Sequence, residues 1–512
     1  MAYPEPTEVA PWYLRNITQA LALDETTGNV YVRTDSQIDI SNANVIIGNV
    51  GITSLGNVDI SGNTMPVSGT ITVDTITGNV TVLQGTDPWI VSGNVNANIT
   101  GTANVVLAED ANVIISGFGG ATGDAFGRLR VSNPYTLFDT RSLYYDHEQF
   151  ASNVTGTGNV VYNANSSSYT MTVTGAGAVY RETYKTFIYQ PGKSLLIMNS
   201  FCGNTATDGL TQRVGYFNDE NGIFFETDGE TLNMVIRSSS TGSVTHERVA
   251  QSAWNGDRLN GLGGAHNPSG ANLNPALTQL FWTDLEWLGV GSVRVGFVLN
   301  GQYIICHTFN HANQTGNTIP YMGTAVLPCR YELISTGPSA TMCQVCSTVI
   351  SEGGYPQEGR VTSVGHGFGD EVDLPNNDSF VPLISIRLKS TMPDAVVVPK
   401  TFSISVSSND LYMWKLYRRA VTTGGSWVSA GDKTAVEYNL APTALVSGDL
   451  VDQGYIRASN QSVSSPGNLP LTYENQLFRD PFTNTFLEFV LMAATDGTNQ
   501  TALAAVQWQD IS

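Results

Sequence analysis

The chain has 512 residues, too many for one hydrophobic core, so several structural units are expected. Apolar residues make up 41% and charged residues only 13%, about half the usual share, while 51 glycines and many Asn, Thr and Ser fill the gap. The formal charge of −20 and a thin, unclustered supply of 24 Lys and Arg argue against nucleic acid as a partner, which would need cations against its phosphates.

A composition poor in charge and rich in β-branched and turn residues points to an all-β chain. No stretch approaches the apolar length of a membrane span, so membrane insertion is not expected. The opening residues MAYPEPTEVAPWYL lack the basic and apolar blocks of a signal peptide. Five cysteines are sparse and odd in number, in keeping with a reducing site of synthesis.

Taken in order, residues 1–27 form an N-terminal segment with one predicted short helix over 9–24. Pro11 suits its first position, Leu14, Ile17 and Leu21 recur at three and four, and Trp12 and Tyr13 add apolar bulk. Pro11, Trp12, Tyr13, Leu14 and Ile17 are the candidate attachment residues, docking in another protein because little of their own chain is at hand. Residues 28–117 repeat GNV and ANV turns between period-2 apolar stripes such as Ile71 and Val73. One ribbon of this kind cannot bury its own stripe. The irregular spacing favours three chains wrapped on a common axis over a regular solenoid, so a homotrimeric β stalk is expected.

Residues 118–139 form a junction where the composition breaks. Arg128 is the first cation after Arg33. Phe126 and Leu129 are expected to plug the end of a three-fold core, with Arg128 and Arg130 facing acids of the same or a neighbouring chain. Residues 140–355 then read as a large, lectin-like jelly-roll sandwich. Its hairpins are signed by Asn300-Gly301, Asp228-Gly229 and Asn221-Gly222. The Gly/Asn/Pro-rich loop 256–276 is of the kind that carries contacts. Residues 356–378 read as a linker and 379–512 as a smaller β-sandwich.

The strongest hint of chemistry is FWTDLEW over 281–287. On a strand, Trp282, Asp284 and Glu286 share one face. Paired acids about 5 Å apart divide the acid and nucleophile roles in retaining glycosidases. The strand motif of jelly-roll glycosidases carries a further Glu two residues before the Asp. Trp282 stands there instead, so the stripe is expected to be a solvent-facing one that binds glycan without cutting it, and the chain is expected not to be an enzyme. Cys343-Gln-Val-Cys346 is a lone CxxC with no second pair. Cys306 and His307 point to opposite faces of a strand, which leaves His311 without a ligand set, so neither metal nor cofactor is expected.

The motif DAFGRLRVSNPYTLFD (124–139) resembles a family of tailed-phage virion proteins found among marine and cyanobacterial phages. PWYLRN, DPWIVSGNV, WLGVGSVRVGFVLNGQYIICHTFNHAN and SFVPLISIRLK extend the resemblance over most of the chain. It implies a virion component of fibre or appendage type, assembled in the host cytoplasm. The expected partners are two further copies, other virion proteins at the N-terminus, and host-surface glycan at the sandwiches. The alternatives are a tailspike polysaccharide depolymerase and a capsid decoration or head fibre protein with no receptor role.

Overall fold

The computed structural model describes residues 21–23, 30–32, 133–140, 142–146, 149–354, 359–375, 379–457 and 475–511. The chain divides into two units, 1–107 and 108–512. In the first, β1 (Leu21–Leu23) pairs antiparallel with β2 (Val30–Val32). The predicted helix over 9–24 is therefore corrected at its C-terminal end. Val30, Tyr31 and Val32 are strong strand formers, and the pairing draws Leu21, Ala22 and Leu23 into an extended ribbon. The remainder of that helix, the trimeric stalk and most of the junction lie outside the described residues.

The second unit is all-β, with one 3-10 turn at Gln251–Ala253 among its described residues. Its first sandwich starts with β3 (Tyr135–Asp139), β4 (Phe150–Asn163), β5 (Ser168–Thr183) and β6 (Phe187–Ile188). β7 (Leu195–Cys202), β8 (Leu210–Phe217), β9 (Gly222–Asp228), β10 (Thr231–Ser238) and β11 (Thr245–Ala250) follow. After the long loop come β12 (Thr278–Leu285), β13 (Val293–Leu299) and β14 (Gln302–Phe309). β15 (Val326–Leu327), β16 (Cys329–Ser335) and β17 (Ala340–Ser351) complete it.

Thirteen of these strands form one sheet in the order β11-β10-β9-β8-β16-β5-β17-β7-β12-β13-β14, with β3 on β17 and β4 on β5. Strands β9 and β12 are six places apart, which is about 29 Å in a flat sheet. Yet Phe225 of β9 sits with its ring 6.1 Å from Phe281 of β12 and 5.2 Å from Phe297 of β13. The sheet is curled back on itself, and its two halves share one aromatic core. The expected hairpins are present. At the β13–β14 turn Asn300 (φ 51°) and Gly301 (φ 75°) take the two positive φ values that a tight hairpin needs. The sandwich takes in Tyr135–Asp139, which the sequence placed in the junction, because β3 pairs with β17.

The second sandwich comprises β18 (Arg360–Gly365), β19 (Val372–Leu374), β20 (Val381–Leu388), β21 (Val397–Val406) and β22 (Leu411–Thr423). β23 (Val428–Ser429), β24 (Val436–Asn439), β25 (Ala444–Arg457), β26 (Glu488–Thr495) and β27 (Gln500–Asp510) follow. A six-stranded sheet, β23-β24-β20-β26-β22-β25, faces a four-stranded one centred on β27. Phe402, Trp414, Leu416 and Trp508 lie in the core between them. The linker expected at 356–378 is corrected. β18 and β19 pair side by side with one edge of β27, so these residues belong to the sandwich. Their shortness and glycines hid a pattern that only the pairing with the C-terminal strand reveals.

The two sandwiches touch. Thr186 Oγ1 donates to the Asp394 carbonyl at 3.1 Å, and Tyr184 packs on Phe478 at 5.4 Å.

Replacing Phe225 by Ala, which removes a ring touching both halves of the curled sheet, is expected to cost about 3–5 kcal/mol. Leu262→Ala at an exposed loop tip is expected to stay within about 0.5 kcal/mol. Denaturant unfolding of both variants checks the contrast.

Candidate functional site

The sequence-derived candidates separate into two groups. Pro11, Trp12, Tyr13, Leu14 and Ile17, and likewise Phe126, Arg128, Leu129 and Arg130, lie outside the described residues. Trp282, Asp284 and Glu286 are described, and none has exposed surface. The expected solvent-facing stripe is thus corrected. Its neighbours Leu196 and Met198 on β7, Val298 on β13, Tyr303 and Ile305 on β14 and Ile350 on β17 lay an apolar layer around Trp282. β12 is buried on both faces, so alternation along it does not separate a dry face from a wet one. Asp284 stands directly opposite Arg294 in the β12–β13 register and is ion-paired with it.

The other sequence candidates are structural as well. Loop 256–276 folds around the buried Asp257 carboxylate, which accepts from Leu259 N at 2.9 Å, Asn267 Nδ2 at 2.6 Å and Ser269 N at 2.8 Å. Cys343 lies opposite Cys202 across β17 and β7, while Cys346 follows a register shift and is exposed. His307 Nδ1 accepts from Asn255 N at 3.2 Å, and His311 stacks on Tyr321 at 3.9 Å. No cluster of three or more metal-ligating side chains occurs among the described residues.

A different site assembles on the face of the first sheet half that points away from the shared core. There the register aligns side chains in rows across the strands. One row runs Asn153 (β4), Tyr180 (β5), Glu332 (β16), Arg213 (β8) and Glu226 (β9). The next holds Glu182, Arg330, Gly215, Phe224, Val235 and Arg248. A third places Arg237 beside His246. Opposite charges on adjacent strands of one face attract, and these are within hydrogen-bond reach. Arg213 meets Glu226 at 2.7 Å and Glu332 at 2.8 Å, and Arg248 meets Glu226 at 2.8 Å. Arg330 meets Glu182 at 2.6 Å, Glu332 at 2.7 Å and Asp219 at 2.8 Å. Under this lattice lie Phe217 and Phe224, fully buried, with the Arg237 guanidinium 5.4 Å and 5.0 Å from their ring centres.

Above these rows opens a cleft of about 410 Å³. Its polar lining includes Asn153, Arg213, Asp219, Arg237, His246, Arg330 and Glu332. Tyr180, Val244, Ile334 and Phe482 supply the apolar part. Phe482 comes from a loop of the second sandwich, so the cleft sits where the sandwiches meet, a common position for ligand sites. Asp480 fixes that loop by accepting from Phe482 N and Thr483 N at 2.9 Å each.

The charges are tuned by burial against pairing. At Glu226 burial favours the neutral acid, but hydrogen bonds from Arg248 and Arg213 outweigh it and hold the carboxyl below its usual range. At Glu182 burial dominates over the pull of Arg330 and pushes the carboxyl up to about 7. Burial alone would discharge Arg330, but Glu332, Glu182 and Asp219 surround it and keep it firmly protonated. His246 is pushed down by burial and by Arg248 and Arg237, and its Nε2 accepts from Arg237 Nε at 3.0 Å.

Sequence reasoning missed this site because its residues come from six strands and a distant loop, with no local motif. The one signal was Arg330-Tyr-Glu332, a charged pair at period 2 on a strand whose alternate residues Tyr331 and Leu333 are core.

No family model and no curated protein matches the chain. Among solved structures it is similar to a glycoside hydrolase family 16 enzyme of a Bacteroides ovatus mixed-linkage glucan locus. The two are 13% identical over 42% of this chain and 99% of that one, with a TM-score of 0.28. A β-1,3-glucanase from Mycobacterium marinum is 10% identical over 42% of this chain and 98% of that one, TM-score 0.27. The Emp47p carbohydrate-recognition domain is 7% identical over 43% of this chain and 98% of that one, TM-score 0.27. The expectation that the chain is not an enzyme is corrected on this finding, since the similar structures include glycoside hydrolases and glucanases. At these scores the likeness carries no residue role and no activity across.

Glu182, which pairs with Arg330 of the cleft, gives the lattice behind it a pH signature. Between the ordinary 4.5 and about 7 the folded state keeps a proton that the unfolded chain releases. Its contribution is fully present below pH 4.5 and is lost as pH rises through 7. Relative to Glu182→Gln, the wild-type protein is expected to lose on the order of 2 kcal/mol of stability from pH 4.5 to 8, read from paired unfolding curves.

Proposed function

We propose that the chain is a structural component of a phage virion, a homotrimeric fibre or appendage that attaches through its N-terminus and presents β-sandwiches to glycan on the host surface. The observation that carries the glycan part is the cleft between the sandwiches. It is open, about 410 Å³ in volume, and combines charged hydrogen-bonding groups with the aromatic surfaces of Tyr180 and Phe482. Sugars need both, since their hydroxyls take charged and amide partners while their C–H faces lie on aromatic rings. Asp219 and Asn153 supply oxygen and amide groups at the rim, and Val244 is exposed beside them.

The virion part is supported by the order of segments along the chain and by the junction motif. An apolar N-terminal segment precedes a low-charge tract of Asn, Gly, Thr and Val repeats, and the sandwiches follow. Such a tract leaves apolar stripes that copies of itself can cover.

Three chains per particle by light scattering, and gold-labelled antibody to the sandwiches seen on intact phage by electron microscopy, are the expected results. A monomer, or label absent from the particle, would sink the virion reading. Host-envelope polysaccharide is expected to bind the purified protein, with Phe482→Ala weakening it about tenfold through loss of ring stacking. Unchanged binding in that variant would remove the cleft from the reading. Reducing-end release is read in the same mixture, and oligosaccharide production would give the cleft a cutting as well as a holding role.

A further inference from the structure

The cations of the cleft are not equally satisfied. Arg213 and Arg330 each hold buried carboxylates, and Arg248 beneath holds Glu226. Arg237 differs. It is 6% exposed, its Nε donates to His246 and its Nη1 to the Asn218 carbonyl at 2.6 Å, and no carboxylate among the described residues is within ion-pair distance of it. Both of its partners are neutral, because His246 accepts through Nε2 and is held below its usual pKa by burial and the nearby guanidiniums. Its Nη2 has no hydrogen-bond partner among the described residues of the cleft wall.

A guanidinium on a residue only 6% exposed is costly to hold from water unless something completes its hydrogen bonds. Phe217 and Phe224 beneath it supply cation–π attraction, and no counter-charge. The lining of the cleft holds three guanidiniums, Arg213, Arg237 and Arg330, against two carboxylates, Asp219 and Glu332. Glu226 and Glu182 stand behind that lining as further counter-charges to Arg213 and Arg330, so Arg237 alone of the three lacks a carboxylate partner among the described residues.

We infer that the cleft takes an acidic saccharide, a hexuronate unit whose carboxylate pairs with the open edge of Arg237 while its ring lies against Phe482 and Tyr180. The inference rests on the reading of this cleft as a glycan site and adds the class of sugar. A planar carboxylate suits the guanidinium edge better than a hydroxyl does, since two parallel hydrogen bonds form and both are charge-assisted. Asp219 at the rim disfavours a second anion close to the first, so the ligand carries its charge at one end of the ring and hydroxyls at the other.

Calorimetric titration of the full-length protein with trigalacturonate, its methyl ester and a sulfated trisaccharide of the same length tests this. Trigalacturonate is expected to bind at least about tenfold more tightly than the ester, in line with a charge-assisted pair. Arg237→Gln is expected to bind acid and ester alike. Val244→Glu, an exposed change at the cleft lining that leaves the fold's buried groups in place, is expected to weaken the acid more than it weakens the ester. Equal binding of acid and ester to the wild-type protein, or no effect of Val244→Glu on the acid, overturns the inference while leaving a neutral-glycan site standing. Tighter binding of the sulfated probe than of the uronate overturns the carboxylate assignment. No binding of any of the three overturns this inference, and loss of host-polysaccharide binding with it would overturn the glycan reading as well.

Discussion

The curl of the thirteen-stranded sheet is the constraint from which the rest of the first sandwich follows. A sheet that long, with β-branched and aromatic residues on one face, either meets a partner sheet or closes on itself. Here Phe225 of one half reaches Phe281 and Phe297 of the other, and one core serves both. Two consequences come from that closure. The strands of the β7–β12–β13–β14 half carry apolar residues on both faces, as the layer around Trp282 shows. The β11-to-β5 half keeps a polar outer face, and it is there that charges accumulate in register.

That outer face departs from the usual economy of a protein surface. Exposed ion pairs contribute little, whereas a pair withdrawn from water must be complete or it is destabilising. Glu226 has no exposed side-chain surface and is held by two guanidiniums, and Glu332 is held likewise by Arg213 and Arg330. Both carboxylates meet Arg213 across an adjacent strand, so the lattice fixes strand register as well as charge. A one-residue slip of β16 against β8 would put Arg330 and Glu332 into the aromatic core and Tyr331 into the cleft.

Much of this fold was legible in the sequence because its signals are local. Asn300-Gly301 must take positive φ, and alternating apolar residues on either side name the strands. The misreadings have a common cause. Trp282, Asp284 and Glu286 were assigned to a wet face by alternation, which holds only where one face of a strand is exposed. β18 and β19 looked like linker because their partner, β27, lies more than a hundred residues further along. Leu21 fitted a helical spacing that pairing with Val32 overrode. The cleft could not be read at all, since Arg213, Arg237, Arg330 and Phe482 are neighbours only after the sheet has curled and the second sandwich has docked.

Docking of the second sandwich then becomes part of the site. Phe482 reaches the cleft on a loop whose base is fastened at Asp480 and by the Arg479–Asp394 pair, while Phe478 beside it packs on Tyr184 of the first sandwich. The Arg330 guanidinium lies 5.8 Å from the Phe482 ring and 5.7 Å from Phe217, so it is sandwiched between an aromatic of each sandwich. Separating the sandwiches would strip that ring from the cleft and expose Arg330 together with the carboxylates it neutralises. A ligand that fills the cleft touches both sandwiches, so its binding energy opposes their separation and by linkage stabilises the docked arrangement. Occupation of the cleft and the mutual orientation of the two sandwiches are in this way one equilibrium.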